Sequence, residues 1–174
     1  MKRRALILIT LLCCQLTVGQ FPEKALRNKL KADKIEMDQG NGDGVFKARN
    51  KKTKKWGMYQ WLYEGLKTKE LIPMAYDAVN YFPFNGAFTA VYNNGKVGFY
   101  LSAWSYKNAK QTVPCLYDDY QRFTVNNTPY LAVQKNGRWG WVDWLTGEEQ
   151  TECKYDTQED LPYPGYKQNI WPED

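Results

Sequence analysis

A glycine that recurs after an apolar or aromatic residue constrains the fold of this chain more than any other feature. It occurs three times, with a period of 41 and then 42 residues, at Gly57, Gly98 and Gly140. A Tyr-Asp pair follows each copy, at Tyr76-Asp77, Tyr117-Asp118 and Tyr155-Asp156. Two markers that keep phase predict three similar units that stack, because a single unit of this length buries too little apolar surface alone.

Each unit has the pattern of an antiparallel meander. Asn94-Gly95 and Asn136-Gly137 separate short apolar runs, and this dipeptide favours a type I′ hairpin turn because both residues tolerate positive φ. A glycine weakens the strand that contains it, so its repetition predicts that another backbone or an aromatic ring approaches closely there. A third strand ends near Pro73 or Pro114. We therefore predict an all-β, antiparallel β-repeat protein of three stacked hairpin or meander units, with a short N-terminal helix.

The residues around the repeated glycine carry a resemblance to a known family. Lys55-Trp56-Gly57 and Arg138-Trp139-Gly140 share a basic residue before Trp-Gly, and the second copy has Val97 in place of the tryptophan. With the later Tyr-Asp, this pattern over about residues 45–157 resembles the WG-repeat family (WG-containing β-repeat). The resemblance implies an all-β repeat module of the kind common in bacterial secreted and envelope proteins. It implies no general catalytic activity and provides no functional residues to transfer.

The first 19 residues have the pattern of a signal peptide. Three basic residues precede the apolar run Ala5–Leu12, and the small-residue end Thr17-Val18-Gly19 is suited to cleavage. The apolar run is too short to span a bilayer, so we predict export and no transmembrane segment in the mature chain. A lipid anchor on Cys13 or Cys14 is the alternative, although neither cysteine follows a small residue.

These patterns divide the 174-residue chain into segments. After the leader, Pro22–Met37 has Leu26, Leu30 and Met37 at helical spacing, which predicts a short amphipathic helix. The predicted boundaries are 1–19 for the signal peptide, 20–42 for the helical segment and a Gly-rich connector, 43–82, 83–124 and 125–160 for the repeats, and 161–174 for the tail.

Charge and composition exclude several functions. The net charge of +5 falls to +2 without the leader, because 21 basic residues then face 19 acidic ones, which argues against a nucleic-acid partner. The chain has no histidine, so triads that use a histidine base and zinc sites that use histidine ligands are excluded. Asp38–Phe46 resembles a calcium loop, but the first and last carboxylates that such a loop needs are missing. We predict no metal, no cofactor and no enzymatic activity.

The aromatic and cysteine residues are the remaining candidates for sites. Trp56 and Trp139 occur in phase, which predicts that they belong to the core between repeats. Trp104, Trp141 and Trp144 are not matched across all repeats, so these three are the candidates for an exposed binding surface. Cys115 and Cys153 occupy the place of Met74, which favours a repeated apolar position; a disulfide between neighbouring repeats is the alternative.

The charged residues allow two further interpretations. Lys47–Lys55 carries six positive charges and could attract an anionic polysaccharide, a lipid or a nucleic acid, although such a run is more often a solvated loop that limits edge pairing. The adjacent acidic pairs would be the only source of acid–base catalysis, and adjacent strand residues point to opposite faces. We expect an exported module that mediates protein–protein interaction in the cell envelope or outside the cell. A carbohydrate- or cell-wall-binding module that uses exposed aromatic residues is the alternative.

Overall fold

The structure is a computed structural model and describes residues 21–37, 44–80, 88–101, 110–125, 128–143 and 146–162. The predicted signal peptide and most of the predicted tail lie outside these residues. The described part contains one short helix and twelve strands: α1 Glu23–Leu30, β1 Ala32–Met37, β2 Val45–Asn50, β3 Trp56–Trp61, β4 Thr68–Tyr76, β5 Ala78–Val79, β6 Phe88–Asn93, β7 Lys96–Leu101, β8 Lys110–Tyr117, β9 Asp119–Val125, β10 Thr128–Lys135, β11 Arg138–Val142 and β12 Glu149–Tyr155.

The strands form three four-stranded antiparallel sheets, each in the order of the chain. Sheet 1 contains β1 to β4, sheet 2 contains β5 to β8, and sheet 3 contains β9 to β12. Each strand pairs with the strand that precedes it within its sheet, so every connection inside a sheet joins neighbouring antiparallel strands. The prediction of an all-β antiparallel protein made of three repeated units is confirmed.

The Asn-Gly turns have the conformation that the dipeptide predicts. The φ angles are 53° at Asn94 and 72° at Gly95, and 54° and 75° at the equivalent residues Asn136 and Gly137. Two consecutive positive φ angles are the mark of a type I′ turn, whose twist matches that of the strands it joins. The turns therefore set the register in which Lys96 faces Asn93 and Arg138 faces Lys135.

The repeated glycine lies where the fourth strand of each sheet bulges toward the third. Trp56 pairs with Tyr76 and Met58 pairs with Ile72, so Gly57 alone faces the three residues 73–75. A Cβ atom on Gly57 would lie 2.6 Å from the carbonyl oxygen of Ile72, a distance that real Cβ atoms do not adopt. The same bulge recurs opposite Gly98 and Gly140. The prediction that a backbone approaches closely at this position is confirmed.

Four apolar clusters hold the stack together. The helix α1 covers the outer face of sheet 1, and its buried contact is Leu26. Met58, Ile72 and Val91 lie in the core between sheets 1 and 2, and Phe99 and Val133 lie in the core between sheets 2 and 3. Leu161 covers the outer face of sheet 3. Because both outer faces are covered, each sheet buries apolar surface on both sides.

The N-terminal helix is shorter than the sequence predicts. It ends at Leu30, because Lys31 adopts a left-handed conformation with φ of 52°. Residues Ala32–Met37 form β1 instead, so Met37 belongs to a strand rather than to the helix. Sheets 2 and 3 also begin earlier than the predicted units, because the strands that follow Tyr76-Asp77 and Tyr117-Asp118 join the next sheet.

Candidate functional site

Equivalent residues form one row across each of the three sheets. In sheet 1 the row consists of Lys34, Arg49, Trp56 and Tyr76, which are paired in that order across β1, β2, β3 and β4. The equivalent rows are Ala78, Tyr92, Val97 and Tyr117 in sheet 2, and Asp119, Gln134, Trp139 and Tyr155 in sheet 3. The three rows share one backbone arrangement and differ in side-chain chemistry.

The row of sheet 1 combines a tryptophan with cations. The ammonium nitrogens of Lys34 and Lys47 each lie 5.5 Å from a ring centroid of Trp56, and the guanidinium carbon of Arg49 lies 5.6 Å away. All three lie within the range over which a cation is attracted to an aromatic ring. Trp56 itself is half-buried and packs against the core between sheets 1 and 2. Trp56 therefore contacts the core between repeats, as the sequence predicts, but it is not fully buried there.

Two carboxylates are held among these cations. Glu36 forms ion pairs with Lys34 and with Lys47, the latter at 2.9 Å. Asp33 accepts hydrogen bonds from Arg49 at 2.9 and 3.2 Å and also pairs with Lys54. Hydrogen bonds from these cations hold the pKa values of both carboxyl groups below their ordinary values. We call Asp33, Lys34, Glu36, Lys47, Arg49, Lys54 and Trp56 together the Trp56 face.

The Trp56 face is accessible because sheet 2 packs on the other half of sheet 1. The strands of sheet 1 that contact sheet 2 most are β3 and β4, whereas the cations are on β1 and β2 and in the turn after β2. The side chain of Lys34 is 48% exposed and that of Arg49 is 34% exposed. Lys47 is only 16% exposed, so its ammonium group is held in place beside the ring. A ligand can therefore reach Lys34 and Arg49 beside the half-buried ring of Trp56.

Sequence reasoning found this face only in part. It considered Lys47 and Arg49 as members of the basic run Lys47–Lys55, which it interpreted as more often a solvated loop, and it did not single out Lys34. A signal was present, since Lys47 and Arg49 alternate with the apolar residues Phe46 and Ala48, as residues of a strand do. That alternation places the two cations on the face opposite the buried Phe46.

The predicted aromatic surface is not formed as the sequence suggested. Trp141 is only 3% exposed, so the expectation that it lies on the surface is wrong. Trp141 is equivalent to Met58 and Phe99, because each of the three residues directly follows the repeated glycine of its sheet. Met58 and Phe99 are fully buried. The ring of Trp141 packs edge-on against Tyr130, with 5.6 Å between centroids. Trp104 and Trp144 lie outside the described residues.

The residues that mark each repeat in the sequence contribute to packing and to ion pairs within the sheets. Tyr76 and Tyr117 are buried, and Trp139 and Tyr155 are partly buried against the cluster at the end of the stack. Lys55 donates a 2.6 Å hydrogen bond to Asp77, and Lys96 and Arg138 form the equivalent ion pairs with Asp118 and Asp156. The basic residue before each Trp-Gly or Val-Gly is therefore paired with the aspartate at the end of its own sheet.

Cys115 and Cys153 are free thiols rather than a disulfide in the structure. Each is the middle residue of a bulge opposite a repeated glycine, and their thiols donate to the carbonyl oxygens of Val91 and Val133, respectively. Burial raises the pKa of both thiols. The two cysteines therefore occupy the repeated, partly buried position that Met74 holds in sheet 1.

A second exposed feature is the loop 62–67 between β3 and β4. Leu62, Tyr63 and Leu66 are between 38% and 54% exposed, which is high for such large apolar side chains. Trp61 holds the loop in place through two contacts. Its indole N–H donates a 2.9 Å hydrogen bond to the carbonyl oxygen of Gly65, and its ring centroid lies 4.7 Å from that of Tyr63.

The backbone of this loop is also fixed at both ends. Tyr63 has a φ of 57°, a conformation that a bulky residue rarely adopts. Lys29 of the helix donates a 2.6 Å hydrogen bond to the carbonyl oxygen of Leu66. The strain at Tyr63 is therefore supported by contacts on both sides, and such supported strain is frequent at functional sites.

Neither a metal site nor a membrane span is found in the described ranges. No group of three or more Cys, Asp or Glu side chains there could hold a metal ion. No described helix is long and apolar enough to cross a membrane. Comparison of the chain with known protein families, with curated proteins and with solved structures finds no match.

Proposed function

We propose that the chain is an exported, non-enzymatic β-repeat module that binds a protein partner in the cell envelope or outside the cell. Export is inferred from the leader pattern of residues 1–19. The resemblance of the repeats to the WG-repeat family supports a module of this kind and is itself part of the proposal.

The observation that carries the proposal is the exposed apolar loop 62–67. Protein interfaces concentrate their binding energy in a few aromatic and apolar anchors that the free protein already holds in position. Leu62, Tyr63 and Leu66 have the character of such anchors. Hydrogen bonds from Trp61 and Lys29 to the backbone of the loop hold them in position. The cost of ordering the loop on binding is therefore small.

Site-specific photocrosslinking tests this proposal. A photoreactive phenylalanine analogue at position 63 is expected to capture one defined protein from the exported fraction of the source cells. The matched control carries the analogue at Leu116, which is 50% exposed but stands alone on β8. Capture is expected to disappear when Leu62→Asp and Leu66→Asp are added. Equal capture from both positions would contradict the proposal.

The carbohydrate-binding alternative through Trp104, Trp141 and Trp144 is weakened by the burial of Trp141. A ring that packs against Tyr130 and beneath Leu161 has no free face for a sugar. A different tryptophan, Trp56, provides the observation that favours a glycan.

A further inference from the structure

We propose that the Trp56 face is a binding site for an acidic polysaccharide, whose sugar rings carry carboxylate or sulfate groups. This site is separate from the protein-binding loop, because Trp56 and Trp61 are at opposite ends of β3 and the loop follows Trp61. The two proposals therefore stand or fail independently.

The charge balance of the face favours an anion. Lys34, Lys47, Arg49 and Lys54 pair with only two carboxylates, Asp33 and Glu36, so the formal charges of the face sum to +2. The neighbouring cations keep both carboxyl groups ionised well below neutral pH, so this balance holds at physiological pH. An anionic ligand relieves the mutual repulsion of cations that are gathered around one ring.

The aromatic ring distinguishes a sugar from a bare anion. The carbon-bound hydrogens on one side of a pyranose ring form an apolar surface that packs against an indole, and an acidic group on the same ring then lies within reach of neighbouring cations. Arg49 adds a planar guanidinium that can hold a carboxylate or sulfate with two hydrogen bonds. Trp56 and Arg49 are directly cross-strand, so one sugar residue can contact both.

The equivalent rows show that the scaffold does not need these cations. Sheet 3 holds a tryptophan, Trp139, at the same place with Asp119 and Gln134 where sheet 1 has Lys34 and Arg49. Sheet 2 has Ala78 and Tyr92 at those places. Since the same backbone forms with neutral or acidic residues, the cations of sheet 1 are not required by the fold.

Other anionic macromolecules fit the face less well. A membrane surface would need apolar side chains that enter the bilayer beside the cations. The large apolar side chains found exposed in the described residues are Leu62, Tyr63, Leu66 and Leu116, and none of them belongs to the Trp56 face. A nucleic acid would need a longer basic stripe than these few cations, and the chain without its leader has a net charge of only +2.

Titration calorimetry with the full chain tests the proposal on defined polymers. The probes are polygalacturonate, the same polymer with its carboxylates methyl-esterified, dextran sulfate, dextran, and vesicles of anionic phospholipid. We expect binding to polygalacturonate, to dextran sulfate or to both, little to the neutral polymers, and weakening as salt is raised. A preference for polygalacturonate or for dextran sulfate identifies the acidic group as a carboxylate or a sulfate, respectively.

Substitutions then assign the binding to the face. Lys34→Gln with Arg49→Gln is expected to weaken binding about tenfold, and Trp56→Phe severalfold, when binding is measured at a temperature at which melting curves show every variant to be folded. The matched controls are Lys110→Gln, an exposed lysine on sheet 2, and Trp139→Phe in the equivalent row of sheet 3; both are expected to bind as the wild type does. Crosslinking from position 63 is expected to persist in every variant.

Several results would overturn the proposal. They are binding to the neutral polymers that is as tight as binding to the acidic ones, a loss of binding in Lys110→Gln equal to that in the variants of the face, tighter binding to vesicles than to either acidic polymer, and no binding to either acidic polymer at low salt. In the variant series, unchanged binding after Trp56→Phe would reduce the face to a charge patch and contradict the role given to the ring.

Discussion

The carboxylate of Asp118 accepts a 2.7 Å hydrogen bond from the backbone N–H of Asn136, so the end of sheet 2 closes the turn of sheet 3. The same carboxylate pairs with Lys96 of sheet 2. Asp77 joins sheets 1 and 2 in the same way, through Lys55 and the N–H of Asn94. The basic residue, the Asn-Gly turn and the Tyr-Asp pair keep phase in the sequence because they meet at each joint between sheets.

We predict that Asp118→Asn lowers the melting temperature at pH 7, because it removes the ion pair with Lys96. Lys96 and the N–H of Asn136 lower the pKa of Asp118 in the folded protein. The stabilisation is therefore present above the unfolded pKa of about 4 and is lost as the pH falls through the folded pKa. Thermal melts from pH 7 to pH 2 are expected to show the wild type and the variant converging in acid.

Asp156→Asn is the matched control for this joint. Asp156 pairs with Arg138, but it follows the last described sheet and closes no Asn-Gly turn of a further sheet there. We expect a smaller decrease in melting temperature than for Asp118→Asn. A difference between wild type and Asp118→Asn that stayed constant down to pH 2 would show that the carboxylate charge does not stabilise the joint.

We predict that Gly98→Ala lowers the free energy of unfolding by about 2 kcal/mol or more, because the new methyl group would meet rigid backbone. A Cβ atom there would lie 2.5 Å from the carbonyl oxygen of Val113. The control is Gly95→Ala, where φ is 72° but an added Cβ atom would have no atom within 4 Å apart from its chain neighbours. The expected cost there is about 1 kcal/mol and comes from the backbone conformation alone. Urea denaturation measures both values, and an equal cost at the two positions would exclude close approach as the reason for the repeated glycine.

Much of the fold follows from local patterns in the sequence. Asn-Gly determines a turn through its own backbone preferences, and the repeated glycine reports a close approach that any larger residue would prevent. Both features act within a few residues, so they are readable without knowledge of the tertiary structure. The number of sheets follows directly from the number of copies.

The site could be predicted less well, because it depends on register between strands. Trp141 was taken as unmatched, although Met58 and Phe99 precede it at the same place after the glycine and all three are buried. The pairing of Lys34 with Arg49 depends on the register of β1 against β2, which is regular from Lys34 to Met37 and irregular next to it at Asp33. No local pattern in the sequence reports that register, so the cations around Trp56 could not be brought together beforehand.

We predict that Leu161→Ala loosens the cover over sheet 3 and costs about 2 kcal/mol, near the low end for a buried leucine because the cluster is small. Leu161 is 3% exposed and packs in the cluster that contains Trp141. The indole N–H of Trp141 is buried there and finds no hydrogen-bond partner among the residues that the structure describes. Its proton is expected to exchange with solvent faster in the variant, as measured by NMR.

The exposed Leu116 provides the comparison for this cover. Leu116→Ala is expected to change stability by no more than about 0.5 kcal/mol and to leave the Trp141 proton unaffected. An unchanged exchange rate in Leu161→Ala would mean that residues other than Leu161 protect the indole.

We predict that Cys115 and Cys153 react slowly with Ellman's reagent in the native protein at pH 8, and rapidly in urea. Both thiols are half-buried and burial raises their pKa values, so a smaller fraction is present as the reactive thiolate than in the unfolded chain. Cys115→Ser and Cys153→Ser are each expected to remove one of two titratable thiols from the chain without its leader. If the denatured, unreduced protein had no titratable thiol, the two cysteines would be joined in a disulfide, which would contradict this prediction.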